Sequence, residues 1–314
     1  MKPDVLAVGP AFVLLPKVMD EMRRHFTVHH VSDYPASLNR DLGERIRGLA
    51  TEANRGAKRD LLALLPKLEI VSLFGVGLDL VDLVAARERK LPVTNTPGVV
   101  GREVADLAIG MMLASARQIV FADHFVREGK WKQGPLPLGR SVHGKTMGIV
   151  GLGEIGRSIA DRAVAFGMRV LYHGPRRKPD APYDYASDLV AMAEESDFIM
   201  VACKGGPETR HLVSAAVIAA LGPGGTLVNV ARGSVVDEAA LIAALKSGAL
   251  GFAALDVFEN SPNINDEFLT LPNVILQPHQ GSAARETREA MGLQVVENLR
   301  AHFEGRPLPS PVKL

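Results

Sequence analysis

Three polar residues each stand directly after an apolar run: Arg232 after residues 226–231, Asp256 after 252–255 and His279 after 274–278. If those runs are parallel strands, ligands bind outside their carboxyl ends, so these side chains are the first to test for chemistry. A guanidinium can hold a carboxylate or polarise a carbonyl, and an imidazolium can give a proton to a nascent alkoxide. Beside a hydride donor, an Arg and a His would together reduce a carbonyl.

The hydride donor has its own signature. The apolar run 146–150 feeds Gly151-Leu-Gly-Glu-Ile-Gly156, and residues 157–166 continue at helical spacing with Ile155, Ile159, Ala163 and Phe166 on one stripe. Strand, glycine turn and helix in this order form a dinucleotide fingerprint. Gly151 permits the tight turn, Gly153 lets backbone approach a pyrophosphate, and Gly156 lets helix pack on strand. The helix N-terminus faces the negative charge, so Gly151, Gly153, Glu154, Ile155 and Gly156 are candidate cofactor contacts.

The next apolar run, 168–172, ends at Gly174, where an acid would bind the ribose 2′-hydroxyl of NAD. No carboxylate is there. Arg176 and Arg177 offer charge-assisted hydrogen bonds to a 2′-phosphate instead, so NADP(H) is the expected cofactor, with NAD(H) possible. The alternative is that Arg176-Arg-Lys178 is a solvated loop.

The chain of 314 residues is long enough for two domains, with 47% hydrophobic and 23% charged residues and a net charge of +1. That balance argues against a nucleic-acid or membrane-surface role. The one cysteine, Cys203, ends an apolar run and reads as a buried strand-end thiol. The run 5–15 is preceded by Asp4 and broken by Gly9-Pro10, which suits a first strand better than a signal segment. Other apolar runs fall short of the ~20 residues that cross a bilayer. A cytoplasmic protein without a metal site is expected.

The elements that must position these residues alternate along the chain. Strands are expected at 5–8, 26–29, 68–73 and 92–93, with helices at 16–24 and 80–90. A long helix follows over 101–117, then a loop around Trp131. Beyond the nucleotide unit, strands at 198–202, 226–230, 252–255 and 274–276 alternate with helices that include 214–221 and 238–246, and a last helix covers 283–303. This predicts an α/β protein with a doubly wound parallel sheet and a smaller α/β unit before it. The apolar stripe Val104, Leu107, Ala108, Met111 and Met112 is open to two readings, core or subunit interface.

Asn95-Thr-Pro-Gly-Val99, Val104-Ala-Asp-Leu107, the glycine motif, Val230-Ala-Arg-Gly-Ser-Val-Val-Asp-Glu238, Leu255-Asp-Val-Phe258 and Pro278-His-Gln-Gly-Ser282 together resemble the D-isomer-specific 2-hydroxyacid dehydrogenases. Within them the chain is most similar to the NADPH-preferring glyoxylate/hydroxypyruvate reductases. The resemblance runs from about residue 68 onward in order and spacing. It implies a Rossmann-type dinucleotide-binding domain over 98–284 and a smaller, discontinuous flavodoxin-like substrate-binding domain over 1–97 and 285–314, with a cleft between them. It implies NADPH-dependent reduction of a small 2-oxoacid to the D-2-hydroxyacid and a homodimer.

The resemblance also assigns roles. Backbone N–H groups at Val76 and Gly77 would hold the substrate carboxylate, Arg232 would bind that carboxylate and the keto oxygen, and His279 would be the general acid. Asp256 would bind the nicotinamide carboxamide, while Cys203, Lys204, Thr209, Val230 and Ala231 would line the cofactor. The family's third catalytic residue is a glutamate, and Ser261 stands at its position. A serine supplies no charge to raise the imidazole's pKa. Glu259 is either a substitute for that acid or a solvated loop residue. A second functional class is therefore weighed, an NADP(H)-binding sensor or scaffold with weak or no turnover.

Overall fold

The computed structural model describes residues 2–33 and 38–314. The chain divides into two compact units, one of residues up to Val100 with Ala283–Leu314, the other Gly101–Ser282.

The first unit is a five-stranded parallel sheet of β1 (Asp4–Val8), β2 (Thr27–Val31), β3 (Gly48–Glu52), β4 (Ile70–Phe74) and β5 (Val93–Thr94), in the order β2-β1-β3-β4-β5. That is the flavodoxin-like order. Leu6, Val8, Leu49, Val71 and Leu73 point into a core closed by Ile46, Leu61 and Leu65. Helix Arg285–Phe303 returns from the far end of the chain to complete the unit, and Gly48 sits so close to it that an added Cβ would lie 3.2 Å from Leu299. Buried Asn298 and Ser310 then tie the closing segment to Asn95 through hydrogen bonds of 2.9 and 2.7 Å.

Two features depart from the sequence reading. β3 is a central strand, buried at all five residues, that the apolar pattern does not announce. The strand expected at 26–29 forms one to two residues later, at Thr27–Val31.

The second unit is a seven-stranded parallel sheet of β6 (Thr146–Val150), β7 (Arg169–His173), β8 (Asp184–Tyr185), β9 (Phe198–Val201), β10 (Thr226–Asn229), β11 (Phe252–Leu255) and β12 (Val274–Leu276), ordered β12-β11-β10-β9-β6-β7-β8. The order turns back at β6, as in a Rossmann sheet with one strand added. Its central strands β6, β9, β10 and β11 are buried, largely apolar runs because helices cover both faces. Helix Gly101–Ala116 buries Val104, Ala108, Met111 and Met112, which decides that stripe as core rather than interface. Between that helix and the loop around Trp131, a stretch for which the sequence reading names no element, helix Ile119–Arg127 forms with no buried residue.

Among the described residues no single helix is long and apolar enough to cross a membrane. No group of three or more His, Cys, Asp or Glu there is arranged to hold a metal ion.

Candidate active site

The strand order arranges the candidate residues in a row. Passing along the carboxyl ends from β12 to β7, one meets His279, then Asp256, Arg232, Cys203, the glycine turn, and Gly174 to Arg177. β10 and β12 are separated by β11, so Arg232 and His279 leave strands roughly 10 Å apart, with Asp256 between them.

The glycine turn has the sterics the fingerprint requires. Gly151 has φ +97°, and a Cβ there would lie 2.5 Å from Cys203 Cα. At Gly156 an added Cβ would lie 2.1 Å from the Gly151 carbonyl oxygen, so only glycine lets this helix start so near the strand. Gly153 has nothing within 4 Å in its Cβ direction, leaving the backbone open to a ligand. Helix Glu154–Ala165 begins there, earlier than the periodicity of 157–166 suggested, with Ile155 in its first turn. The Glu154 carboxylate lies against Gly101, where a Cβ would come within 2.6 Å of it.

The second strand ends in a loop without an acid at its start. Gly151 N–H donates to the His173 carbonyl at 2.9 Å, tying the glycine turn to this loop. Arg176 and Arg177 are exposed, and neither has an ion-pair partner among the described residues. These residues fit an NADP(H) dinucleotide: an open backbone at a helix N-terminus for the pyrophosphate and two guanidinium groups for a 2′-phosphate.

After β9, Cys203 packs against the core, and burial pushes its thiol up to about 11. It is therefore no nucleophile at neutral pH. The Thr209 hydroxyl donates to the Lys204 carbonyl at 2.9 Å, closing the loop between them. Lys204 lies 3.7 Å from Glu208, an exposed pair that contributes little.

Arg232 is positioned by a residue the sequence reading passed over. Buried Asn229, the last residue of β10, accepts from Ala231 N–H at 3.0 Å and donates to the Arg232 carbonyl at 3.0 Å. Its side chain thus supplies partners to the Ala231 N–H and the Arg232 carbonyl as the chain leaves the sheet. Arg232 Nη1 donates to the Ala231 carbonyl at 2.7 Å. Gly233 then touches the Phe258–Glu259 backbone so closely that a Cβ would fall 1.9 Å from the Phe258 carbonyl carbon.

Asp256 is 1% exposed and holds the turn that carries His279. Its carboxylate accepts from Gln280 N–H at 2.6 Å and Gly281 N–H at 2.9 Å, and its carbonyl accepts from His279 N–H at 3.0 Å. His279 has φ +57°, an uncommon conformation for a residue with a side chain. The imidazole bearer is exposed.

Ser261 is engaged with its own turn: its hydroxyl donates to the Phe258 carbonyl at 3.0 Å and accepts from Phe258 N–H at 3.2 Å. Glu259 is not the solvated loop acid expected. Its carboxylate pairs with Arg210 at 2.7 Å and faces His211 at 3.4 Å, and its N–H donates to Glu238 at 2.6 Å. Burial raises the Glu238 carboxyl above its usual range; the Glu259 N–H opposes this, the Glu259 charge adds to it, and His211 opposes it.

In the first unit, the loop after β4 is shaped by Gly75 (φ +139°), whose N–H donates to Thr96 Oγ1 at 3.1 Å. Asn95 Nδ2 donates to the Val76 carbonyl at 3.1 Å, and Val76 is exposed while Gly77 is half-buried.

A family model described as D-isomer specific 2-hydroxyacid dehydrogenase, NAD binding domain, matches residues 109–281. A hydroxyphenylpyruvate reductase of Plectranthus scutellarioides is 48% identical over 98% of both chains. Glyoxylate/hydroxypyruvate reductase A of Arabidopsis thaliana is 49% identical over 85% of both. An NADPH-dependent glyoxylate/hydroxypyruvate reductase from Sinorhizobium meliloti, solved with NADP and malonate, superposes with a TM-score of 0.93 at 40% identity, covering 99% of this chain and 97% of the other.

Proposed function

The chain belongs to the D-isomer specific 2-hydroxyacid dehydrogenase family, and from that premise we propose that it reduces a small 2-oxoacid to the D-2-hydroxyacid with NADPH. The observation that carries this reading is the row of Arg232, Asp256 and His279 on three neighbouring strand ends of the sheet that also bears the glycine turn. Glyoxylate, hydroxypyruvate and analogues with a larger side chain are the candidate substrates, in line with the names of the relatives.

The dinucleotide, when bound, supplies the hydride. Gly151 to Gly156 hold its pyrophosphate, and Arg176 and Arg177 favour the form with a 2′-phosphate, with NAD(H) the weaker alternative. Cys203, Lys204, Thr209, Val230 and Ala231 line it, and Asp256 accepts from its carboxamide. Arg232 holds the substrate carboxylate and draws charge onto the keto oxygen. His279 delivers its proton to that oxygen as it becomes an alkoxide. Val76 and Gly77 offer backbone N–H groups to a substrate carboxylate. Ser261 leaves the general acid without the negative charge that a glutamate at its position brings.

The protein acts as a cytoplasmic homodimer in this proposal. Support for the dimer comes from Ile119, Val120, Phe121 and Val126, 47–54% exposed on a helix with no buried residue, and from Trp131 at 69%. Sedimentation that gives a monomer at micromolar concentration would remove this part.

The test of the whole is NADPH oxidation at 340 nm with glyoxylate, hydroxypyruvate and hydroxyphenylpyruvate, in wild type and Arg232→Ala. Turnover that Arg232→Ala lowers by about a hundredfold or more supports it. Tight NADPH binding with no reduction of any of them would point to a sensor instead.

A further inference from the structure

The loop that carries Arg176 and Arg177 is held by side chains from three neighbouring elements. On β7, the phenol oxygen of Tyr172 accepts from Lys178 N–H at 2.7 Å, and its ring is 1% exposed. On β8, the hydroxyl of Tyr185 donates to the Gly174 carbonyl at 3.0 Å. The two tyrosines are register partners in the parallel β7–β8 pair, with ring centroids 5.3 Å apart. On helix Glu154–Ala165, Arg157 pairs with Asp180 at 2.9 Å, and Asp161 accepts from the Tyr183 hydroxyl at 2.6 Å.

The two phenols bracket the basic pair, one holding the residue before Pro175 and one the residue after Arg177. A pair of arginines on an untethered loop would lose conformational freedom on meeting a phosphate, which weakens binding. Here the loop backbone is already held while both guanidinium groups stay unpaired, so the freedom lost is that of the side chains alone. The link from His173 to Gly151 fixes the loop's start relative to the glycine turn as well.

We propose that Tyr172 and Tyr185 are positioning residues for cofactor choice: their hydroxyls hold the 174–178 backbone so that Arg176 and Arg177 meet a ribose 2′-phosphate. This rests on the NADP(H) reading above. Neither tyrosine touches the phosphate; each acts through the loop. The contribution is confined to ligands that carry the 2′-phosphate, since NAD reaches the glycine turn without using the arginines.

Titration calorimetry of NADP+, NAD+ and adenosine 2′,5′-bisphosphate against wild type, Tyr172→Phe and Tyr185→Phe tests it without turnover. Removing either hydroxyl is expected to weaken NADP+ and the bisphosphate ~3–10-fold while NAD+ changes less than about twofold. Tyr185→Phe, at a half-buried position, carries the test if Tyr172→Phe fails to fold, and thermal melting reports which case holds. A wild type that prefers NADP+, beside folded variants that keep the preference or lose both dinucleotides equally, overturns the inference alone. A wild type that binds NAD+ as tightly as NADP+ overturns the cofactor reading, and the inference with it.

Discussion

The backbone carbonyl of Asp256 accepts from the N–H of His279, and the Asp256 carboxylate takes the next two N–H groups of the same turn. One buried acid thus fixes the path of the chain at His279 and at the two residues after it. Asp256→Asn keeps the shape but sets an amide NH2 against one of those donors, which costs about 1–3 kcal/mol for the N–H left unsatisfied. The expected result is a lower melting temperature and a kcat reduced roughly 10–100-fold through misplacement of His279. An unchanged kcat in a folded Asp256→Asn protein would show that the turn holds itself.

Ser261→Glu should restore a negative charge at the family's position. A carboxylate near an imidazolium raises its pKa, so the proton-donating form survives to higher pH. The alkaline limb of kcat/KM for reduction is expected to move upward in a pH series relative to wild type. A limb that stays in place while the variant folds normally would mean that residue 261 does not reach His279.

Glu238 gives a stability prediction with a definite sign. Burial raises its folded-state pKa above the ordinary 4.5, so its contribution is fully present below that value and is lost as pH rises through the folded pKa. Glu238→Gln keeps an acceptor for the Glu259 N–H and removes the charge. Melting temperatures between about pH 5 and pH 8 should show the variant gaining on wild type as pH rises. A variant that loses stability relative to wild type as pH rises would contradict this.

Cys203, with its thiol pushed up to about 11, should be alkylated by iodoacetamide far more slowly than a free thiol at about pH 8, and faster roughly in proportion to hydroxide above that. Rapid labelling at neutral pH would show that the post-β9 loop opens.

Most of the site is legible in the chain because its constraints are local. Gly151 and Gly156 are required by contacts with Cys203 and with each other's backbone, and such sterics leave glycine at fixed spacing. Arg232, Asp256 and His279 are picked out as candidates by a rule about strand ends that needs only the apolar runs. β3 is missed because Gly48-Leu-Ala-Thr-Glu52 is buried through small residues and a paired acid, Glu52 accepting from Ala11 N–H at 2.6 Å, rather than through β-branched bulk. Helix Ile119–Arg127 differs from the other α-helices in that none of its residues is buried. The partners of Glu259 and the clasp of Asn229 on the Arg232 turn come from tertiary contacts or cap geometry that spacing does not encode.

The first unit's sheet is closed by a helix made only after the entire second unit has been synthesised. At ~5–20 residues per second, the early strands wait on the order of ten seconds or more for Leu299 and Phe303 to cover Gly48 and its neighbours. The second unit is continuous and carries no such delay. Newly made chains therefore pass through a state with one finished half and one apolar sheet face bare, which is the state a chaperone would bind and the state in which overproduced protein would aggregate.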